Sequence, residues 1–248
     1  MPDTDHRLRP VAVQDARQFS PSAARNCVPI REVLTRVLPK KSIVLEIGSG
    51  TEHVVCFAKA LPRLVWLPSD PDGASRTSIE AWMTSEGLTN VRAPVSIDVR
   101  EKVWGVEDDA PFDAMISLNM VHIAPWQAAL GLLAGGKRLL RPGGVFFLYG
   151  PFMIGGRQTA TTNAAFDADL KQRDPRWGVR DVERHRPRGH AKRARIARSR
   201  GDAGEQSLTR ARQVELSVLT LHSAKDVAGN EDQVTPNRIT KPRPLIEI

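Results

Sequence analysis

The stretch LEIGSGTEHVV, residues 45–55, places two glycines directly behind a short apolar segment that ends in an acid. Gly48 and Gly50 alternate with Ser49, and the chain becomes apolar again after His53. A strand, a glycine turn and a helix in this order are typical of nucleotide-binding α/β folds, in which the backbone approaches the ligand closely at the turn. The stretch therefore predicts a ligand-binding turn between the first strand and helix of such a fold.

Short apolar runs alternate with helical patterns on both sides of this turn. The runs are rich in Val, Ile and Leu and too short for buried helices, which is typical of buried parallel strands. We predict strands at residues 43–47, 64–67, 95–99, 114–118 and 145–149, and helices at 20–38, 54–61, 75–85, 126–140 and 164–173. This alternation predicts an α/β fold with a Rossmann-like, doubly wound, mostly parallel sheet.

The positive charge is concentrated in one segment of the 248-residue chain. The formal net charge is +8, and residues 184–212 alone hold 10 Lys/Arg against 2 Asp/Glu. All 13 aromatic residues lie at or before Trp177. We therefore predict a domain at residues 1–183, with an N-terminal helix at 20–38 and a core at 42–150. Residues 184–248 form an irregular basic tail, for which the sequence favours disorder or an out-of-frame reading.

Composition also limits the class of protein. No run of eighteen apolar residues occurs, so we expect no membrane span. The N-terminus has no apolar segment of the secretory type, and Cys27 and Cys56 lack a metal-ligand spacing. We therefore expect a cytoplasmic protein with reduced thiols and no metal site. The oligomeric state stays open.

Two kinds of cofactor compete for the glycine turn. A nicotinamide dinucleotide requires a third glycine in G-x-G-x-x-G, and His53 occupies that position. S-Adenosylmethionine (SAM) has no phosphate and carries a cationic sulfonium and an amino group, so the acid Glu46 before the turn suits it better. Asp70 lies where an acid can accept hydrogen bonds from ribose hydroxyls, with Asp72 as a competitor. Asp98, after the third predicted strand, is a candidate for the adenine amino group.

The chain resembles class I SAM-dependent methyltransferases, and more closely a domain-of-unknown-function family, number 938, of methyltransferase-like 26 type. The stretches that carry the resemblance are RQFSPSAARNCVPIREVL, VLEIGSGTEH, VWLPSDPD, SLNMVHIAPW, RLLRPGGVFFLYGPF and TTNAAFDADLKQRDPRWGVRD. The resemblance implies the class I methyltransferase fold and SAM as cofactor. The implied cofactor-binding residues are Glu46, Gly48, Ser49, Gly50, Asp70, Asp98 and Asn119. The expected methyl acceptor is an unidentified small molecule.

His122 is the one plausible general base near the end of the fourth predicted strand. A histidine there is as often a structural hydrogen-bonding group, and methyl transfer from a sulfonium needs chiefly proximity and orientation. Residues expected on the substrate side are Arg25, Asn26, Tyr149 and Asn163.

The tail differs from what the resemblance implies, which is a further helix and a final pair of strands. When residues 201–210 are back-translated and read one base later, the codons permit EMPANNLSLV, an amphipathic strand similar to the ending of this family. The same shift at Arg184 permits a helix start. We therefore hypothesise a frameshift near residues 183–184.

The family pattern also has a glycine between Thr51 and Glu52 that this chain lacks. A non-glycine at the last step of the turn must adopt a strained backbone or draw the helix inward. Three alternatives thus stay open beside an active methyltransferase. The chain could be inactive in this form, a non-catalytic binding protein, or a nucleic-acid-binding protein that works through its basic tail. The last of these is the least favoured, and no membrane partner is expected.

Overall fold

The computed structural model of the chain describes residues 15–50 and 52–181 with their side chains, and the backbone of residues 217–221. Its helices are α1 (Pro21–Val37), α2 (His53–Ala60), α3 (Gly73–Ser85), α4 (Trp126–Leu139) and α5 (Thr161–Arg173). Its strands are β1 (Ile43–Ile47), β2 (Val65–Ser69), β3 (Phe112–Leu118), β4 (Leu140–Tyr149), β5 (Met153–Ile154), β6 (Arg157–Gln158) and β7 (Ser217–Leu221). Two short 3-10 turns cover Glu107–Asp109 and Met120–His122.

The main sheet has the strand order β2-β1-β3-β4-β7, and every neighbouring pair is parallel. The chain runs from β1 outward to β2, then returns to β3 on the other side of β1. The strand order therefore reverses between β1 and β3, and open α/β sheets bind ligands at such a switch point. The predicted fold class, a doubly wound and mostly parallel α/β sheet, is confirmed.

The central strand β1 is buried on both faces, as the parallel-sheet prediction requires. Leu45 and Ile47 pack into an apolar cluster that includes residues of α4. Val44, on the opposite face, packs into a second cluster with residues of α1, α2 and α3. The sheet is thus a middle layer between helices, and the ends of its strands form one edge where polar residues can meet.

The N-terminal helix begins as predicted. Ser20 is its N-cap and accepts a hydrogen bond from the Ala23 amide at 3.3 Å through its side-chain oxygen, and Pro21 occupies the first helical position. A chain segment before the helix, from residue 15, crosses α3. There the Gln18 amide donates to Ser78 Oγ at 2.8 Å.

The predicted third strand, residues 95–99, is wrong. Residues 91–95 run beside β2 but make only two isolated bridges, Val91 to Trp66 and Val95 to Ser69, and no strand covers 95–99. Pro94 separates the two bridges, and a proline has no amide hydrogen to donate to a ladder. The edge of the sheet beyond β2 is therefore an irregular extended segment.

The structure also contradicts the prediction of two reduced thiols. Cys27 in α1 and Cys56 in α2 form a disulfide, with 6.4 Å between their Cα atoms. This separation lies within the usual range for disulfides. Sequence spacing gave no sign of the pairing, because it depends on the packing of α1 against α2.

Of the basic tail, residues 184–248, the structure describes only the backbone of 217–221, so the segment 184–212 that carries the excess positive charge lies outside the described residues. Downstream, Ser217–Leu221 forms β7 beside β4, inside the stretch 213–222 whose alternation is compatible with a strand. Within the described residues, no helix is both long enough and apolar enough to cross a membrane.

Replacement of Gly135 by alanine tests the packing of α4. A Cβ at this position would overlap the ring of Trp104, which is only 4% exposed. We expect Gly135→Ala to lower the free energy of unfolding by about 1–3 kcal/mol, since an overpacked core must shift its side chains. Urea unfolding measures the change.

The matched control is Gly73→Ala at the start of α3, where the nearest heavy atom to a new Cβ is 3.7 Å away. An equal loss of stability in both variants would contradict the packing argument.

Candidate functional site

The glycine turn after β1 has the backbone conformation that its sequence predicts. Gly48 and Gly50 have φ angles of +65° and +62°, which lie in the left-handed region that favours glycine. A Cβ on Gly50 would meet no heavy atom within 4 Å, so the turn is open there. A Cβ on Gly48 would lie 2.9 Å from Met120 Cγ. The turn therefore packs closely on one side and leaves space on the other.

The hydroxyl of Ser49 is used inside the protein. The Ser49 amide donates to the Ser69 carbonyl at 2.9 Å, and the Ser69 amide donates to Ser49 Oγ at 3.1 Å. Ser69 Oγ in turn donates to the Glu46 carbonyl at 2.7 Å. These bonds join the ends of β1 and β2. A cofactor contact from the Ser49 side chain stays a prediction.

Glu46 is a buried carboxyl that lacks a hydrogen-bond partner among the described residues. It is 0% exposed, and neither Oε1 nor Oε2 is bonded. Its cross-strand neighbours are Pro68 in β2 and Ile116 in β3, whose side chains offer no donor. Burial raises the pKa of Glu46 to about 8. The site therefore holds a protonated acid at neutral pH, and a cation placed beside it would favour the charged form.

Asp70 connects the glycine turn to the end of β2. Its Oδ2 accepts from the Gly50 amide at 3.0 Å, and its Oδ1 accepts from the Asp72 amide at 2.9 Å. Burial raises the pKa of Asp70 above its ordinary value. Asp72 has a different task, since it caps α3 by accepting from the Ser75 amide at 2.8 Å. Of the two acids that compete for a ribose, Asp70 is the one in contact with the turn.

Asp98 forms a two-point ion pair with Arg100. Arg100 Nε donates to Asp98 Oδ1 at 2.9 Å, and Nη2 donates to Oδ2 at 2.5 Å. The hydrogen bonds from Arg100 lower the pKa of Asp98. The carboxylate is thus ionised and already partnered, so a contact with an adenine amino group stays a prediction that requires a rearrangement of this pair.

Asn119 starts the sharp turn after β3. Its φ is +59°, its amide donates to the Tyr149 carbonyl at 2.8 Å, and its carbonyl accepts from the His122 amide at 3.0 Å. Asparagine tolerates the left-handed conformation better than most residues. The turn places Asn119 beside the end of β4, at the same edge of the sheet as Glu46.

His122 packs against Gly150, directly after the end of β4. It is 0% exposed, and a Cβ on Gly150 would overlap its Nε2. Its ring meets the edge of Phe152 with 4.7 Å between centroids. Burial lowers the pKa of His122 to about 4, and neither ring nitrogen has a partner among the described residues. The imidazole is neutral but covered, so a catalytic role stays a prediction that requires opening of the loop.

The four predicted substrate-side residues fall into two pairs. Arg25 is exposed and Asn26 half-buried, both on α1. Tyr149 and Asn163 are each 6% exposed, and Asn163 Nδ2 donates to Thr159 Oγ1 at 3.0 Å. The first pair is accessible to a ligand, and the second pair is packed within the protein.

Two residues that the sequence did not single out shape the site. Glu52, directly behind the turn, accepts from the Ser20 amide through Oε1 at 3.1 Å and so ties α1 to α2. Arg180 donates to the carbonyls of Val121 and Ala124 at 2.9 and 2.6 Å and holds the loop that contains His122. Neither contact has a local sequence signal, because each joins segments that are distant in the chain.

The last described residue of the shortened turn before α2 is Glu52. Glu52 is the N-cap of α2, with φ −156° and ψ −6°, and α2 begins at His53. Glu52 makes no side-chain capping bond to α2. Thr51, where the family pattern would continue the turn, lies outside the described residues.

Residues 17–197 match the model of a family described as "Protein of unknown function (DUF938)". Among solved structures, the chain is similar to an O-methyltransferase family protein from Burkholderia thailandensis, with a TM-score of 0.53 and 14% identity over 62% of this chain and 46% of that one. It is also similar to the S-adenosylmethionine-dependent methyltransferase SibL, with a TM-score of 0.51 and 22% identity over 64% and 45% of the two chains. The chain spans less than half the length of either protein. At these identities the likeness shows a shared fold, that of methyltransferases.

The buried Glu46 predicts an unusual dependence of stability on pH. Its folded-state pKa of about 8 lies above the ordinary value of 4.5, so the folded protein holds a proton that the unfolded chain releases between these pH values. Stability is therefore fully present below pH 4.5 and falls as the pH rises towards 8, by at most about 1.4 kcal/mol per pH unit.

Glu46→Gln removes the ionisable group and keeps the shape. We expect the variant to match the parent near pH 5 and to exceed it in stability at pH 8, in urea unfolding measured at both values. Glu80→Gln removes a carboxyl at an exposed position of α3 and serves as the control. If the free energies of unfolding of the parent and of Glu46→Gln changed in parallel with pH, Glu46 would not be the cause of the pH dependence.

Proposed function

We propose that this chain, which belongs to the DUF938 family, binds S-adenosylmethionine at the turn between β1 and α2 and transfers its methyl group to a small-molecule acceptor. The observation that carries the proposal is the Glu46 carboxyl. It lies at the end of β1, before two left-handed glycines, with both oxygens buried and without partners among the described residues. A buried acid of this kind is suited to a cationic ligand group.

The chemistry of the turn fits SAM better than a dinucleotide. When bound, SAM supplies an electrophilic methyl group on a sulfonium, together with a cationic amino group and no phosphate. Glu46 and Asp70 are two carboxyl groups at the ends of adjacent strands, an arrangement that opposes a pyrophosphate and favours a cation. The open side of Gly50 leaves room for the backbone to approach the ligand.

We assign the cofactor contacts to residues at the edge of the sheet. Glu46 faces the cationic amino group, and Asp70, fixed by the amides of Gly50 and Asp72, accepts from the ribose hydroxyls. Asp98 accepts a hydrogen bond from the adenine amino group once its ion pair with Arg100 is broken. Gly48, Ser49 and Asn119 contribute through their backbones, whose conformation their hydrogen bonds and φ angles fix.

Methyl transfer from a sulfonium is an in-line displacement, in which holding the acceptor in line contributes most of the rate enhancement. We assign Arg25 and Asn26 to the exposed side of the acceptor site, and Tyr149 and Asn163 to its buried wall. We assign His122 as the general base. Burial lowers its pKa to about 4, so the ring is neutral and weakly basic, and this role requires that polar groups of the acceptor raise its pKa.

A non-catalytic SAM-binding protein is the second candidate function. Two observations favour it: the complete burial of His122, and the turn that is one residue short of the family pattern. This candidate retains cofactor binding and lacks methyl transfer.

We also propose that residues from about 184 onward are read in a shifted frame, within a family of methyltransferase-like 26 type. The support is the abrupt change in composition at that point and the codon reading described above. A nucleic-acid-binding role for the tail would instead predict salt-dependent binding that disappears when residues 184–248 are removed.

Isothermal titration with SAM tests the proposed function. We expect binding by the parent chain, and a loss of affinity of at least about tenfold in Glu46→Gln, the scale of a charge-assisted hydrogen bond in a buried site. Affinity should rise from pH 6 to pH 8, because a cation requires Glu46 to lose the proton that its pKa of about 8 retains. Glu80→Gln should bind as the parent does.

Absence of both heat and a thermal shift with SAM would overturn the proposed function. Binding of SAM without methyl transfer to any member of a panel of small nucleophilic acceptors would favour the non-catalytic SAM-binding protein over the methyltransferase.

The coding DNA tests the shifted frame. We expect the alternative frame from codon 184 to encode a helix and a closing strand without a stop codon. Restoring that frame should raise the midpoint of thermal unfolding, since the encoded helix and strand would bury additional apolar surface against the sheet. A stop codon soon after position 184 in the alternative frame would refute the proposal.

A further inference from the structure

The two halves of helix α1 differ in how much apolar surface they bury. In its second half, Ile30 and Leu34 are fully buried in the apolar cluster that α1 shares with α2 and α3. In its first half Ala23 is the one buried residue, and Arg25 and Val28 are exposed. Apolar burial therefore anchors the second half far more firmly than the first.

A proline separates the two halves. Pro29 lies in the interior of α1 and has no amide hydrogen, so the carbonyl of Arg25 lacks its normal partner four residues further on. Interior prolines are the commonest cause of helix kinks. The backbone is therefore weakest at Pro29, where burial also changes, and we take this position as the hinge between the two halves.

Two contacts tie the weakly buried half of α1 to the start of α2. At its beginning, the Ser20 amide donates to Glu52 Oε1 at 3.1 Å. Two turns later, Cys27 forms the disulfide with Cys56 in α2. Both contacts lie on the N-terminal side of the hinge, and Glu52 directly follows the glycine turn. The first half of α1 thus reaches the turn through one hydrogen bond and one covalent bond.

We propose that Cys27 and Cys56 form a reversible redox clamp that fixes the first half of α1 on the glycine turn when oxidised and releases it when reduced. Both cysteines are half-buried, so small oxidants and reductants can reach them. In reducing compartments, disulfides of this kind are transient and redox-sensing.

The oxidant is a hydroperoxide. One cysteine thiolate attacks the peroxide and becomes a sulfenic acid with release of water, and the second thiol displaces a further water to form the S–S bond. Two thiols and one hydrogen peroxide thus give one disulfide and two waters. A dithiol reverses the reaction and is itself oxidised to a disulfide.

The consequence for the cofactor rests on the proposed function. Arg25 and Asn26 lie in the clamped half of α1, so the oxidised protein should exchange SAM more slowly than the reduced protein. The clamp itself concerns α1 and α2 alone and does not require that SAM binds.

Amide hydrogen exchange of the full chain tests the clamp, after treatment with hydrogen peroxide or with dithiothreitol. We expect the amides of residues 22–28 to exchange about tenfold more slowly in the oxidised protein, because the crosslink removes the open conformations from which exchange occurs. The amides of β1 should be unchanged. Cys27→Ser and Cys56→Ser should each show the fast rate under both conditions. Equal rates in the oxidised and reduced parent would overturn the proposal.

Two further measurements separate the clamp from a folding defect. Alkylation of the parent after peroxide treatment should find both thiols blocked, and two reactive thiols would overturn the proposal without any substitution. Pro29→Ala restores the missing amide donor to the Arg25 carbonyl. It should slow amide exchange of residues 22–28 in the reduced protein, which narrows the difference in exchange rate between the two redox states. An unchanged difference would contradict the hinge. Loss of SAM binding in both states would refute the proposed function and leave the exchange test intact.

Discussion

The hydrogen bonds between the turn after β1 and the end of β2 fix the candidate site. Ser49 and Ser69 bond to each other through amide, carbonyl and hydroxyl groups, and Asp70 accepts from the Gly50 amide. Without these bonds the left-handed turn would have no fixed position relative to the neighbouring strand. With them, the ends of both strands and the start of α2 form one rigid frame. The Glu46 carboxyl lies inside that frame, and α1 closes against it.

Hydropathy was sufficient to predict the strands that are buried on both faces. β1 has the predicted bounds, because four of its five residues are apolar and form one short run in a core that is buried on both faces. The pattern failed at residues 95–99, where the side chains resemble a strand but Pro94 interrupts the ladder. It also gave no information on Cys27 and Cys56, because their contact depends on how two helices pack. Helix starts with a local cap, such as Ser20, were predictable from sequence alone.

At the candidate site, too, some features were predictable from sequence order and others depend on tertiary contacts. Sequence order shows which residues follow each strand, so Glu46, Asp70 and Asn119 could be placed at one edge of the sheet in advance. It does not show which polar groups already have partners. Asp98 is bound by Arg100, the Ser49 hydroxyl is bonded inside the fold, and His122 is covered by Gly150 and Phe152. Such pairings depend on side-chain geometry across the tertiary structure, and they decide which candidate residues are available to a ligand.

The buried acid of Glu46 also makes the amount of folded protein depend on its surroundings. A ligand that binds only the folded state stabilises it by an amount that grows with the logarithm of ligand concentration, about 2.7 kcal/mol at one hundred times the dissociation constant. Here such a ligand would also relieve a carboxyl that the fold holds without a partner among the described residues. Steady-state abundance of the chain in a cell should therefore follow the supply of that ligand. Starvation for it would expose the protein to proteolysis before any change in its synthesis.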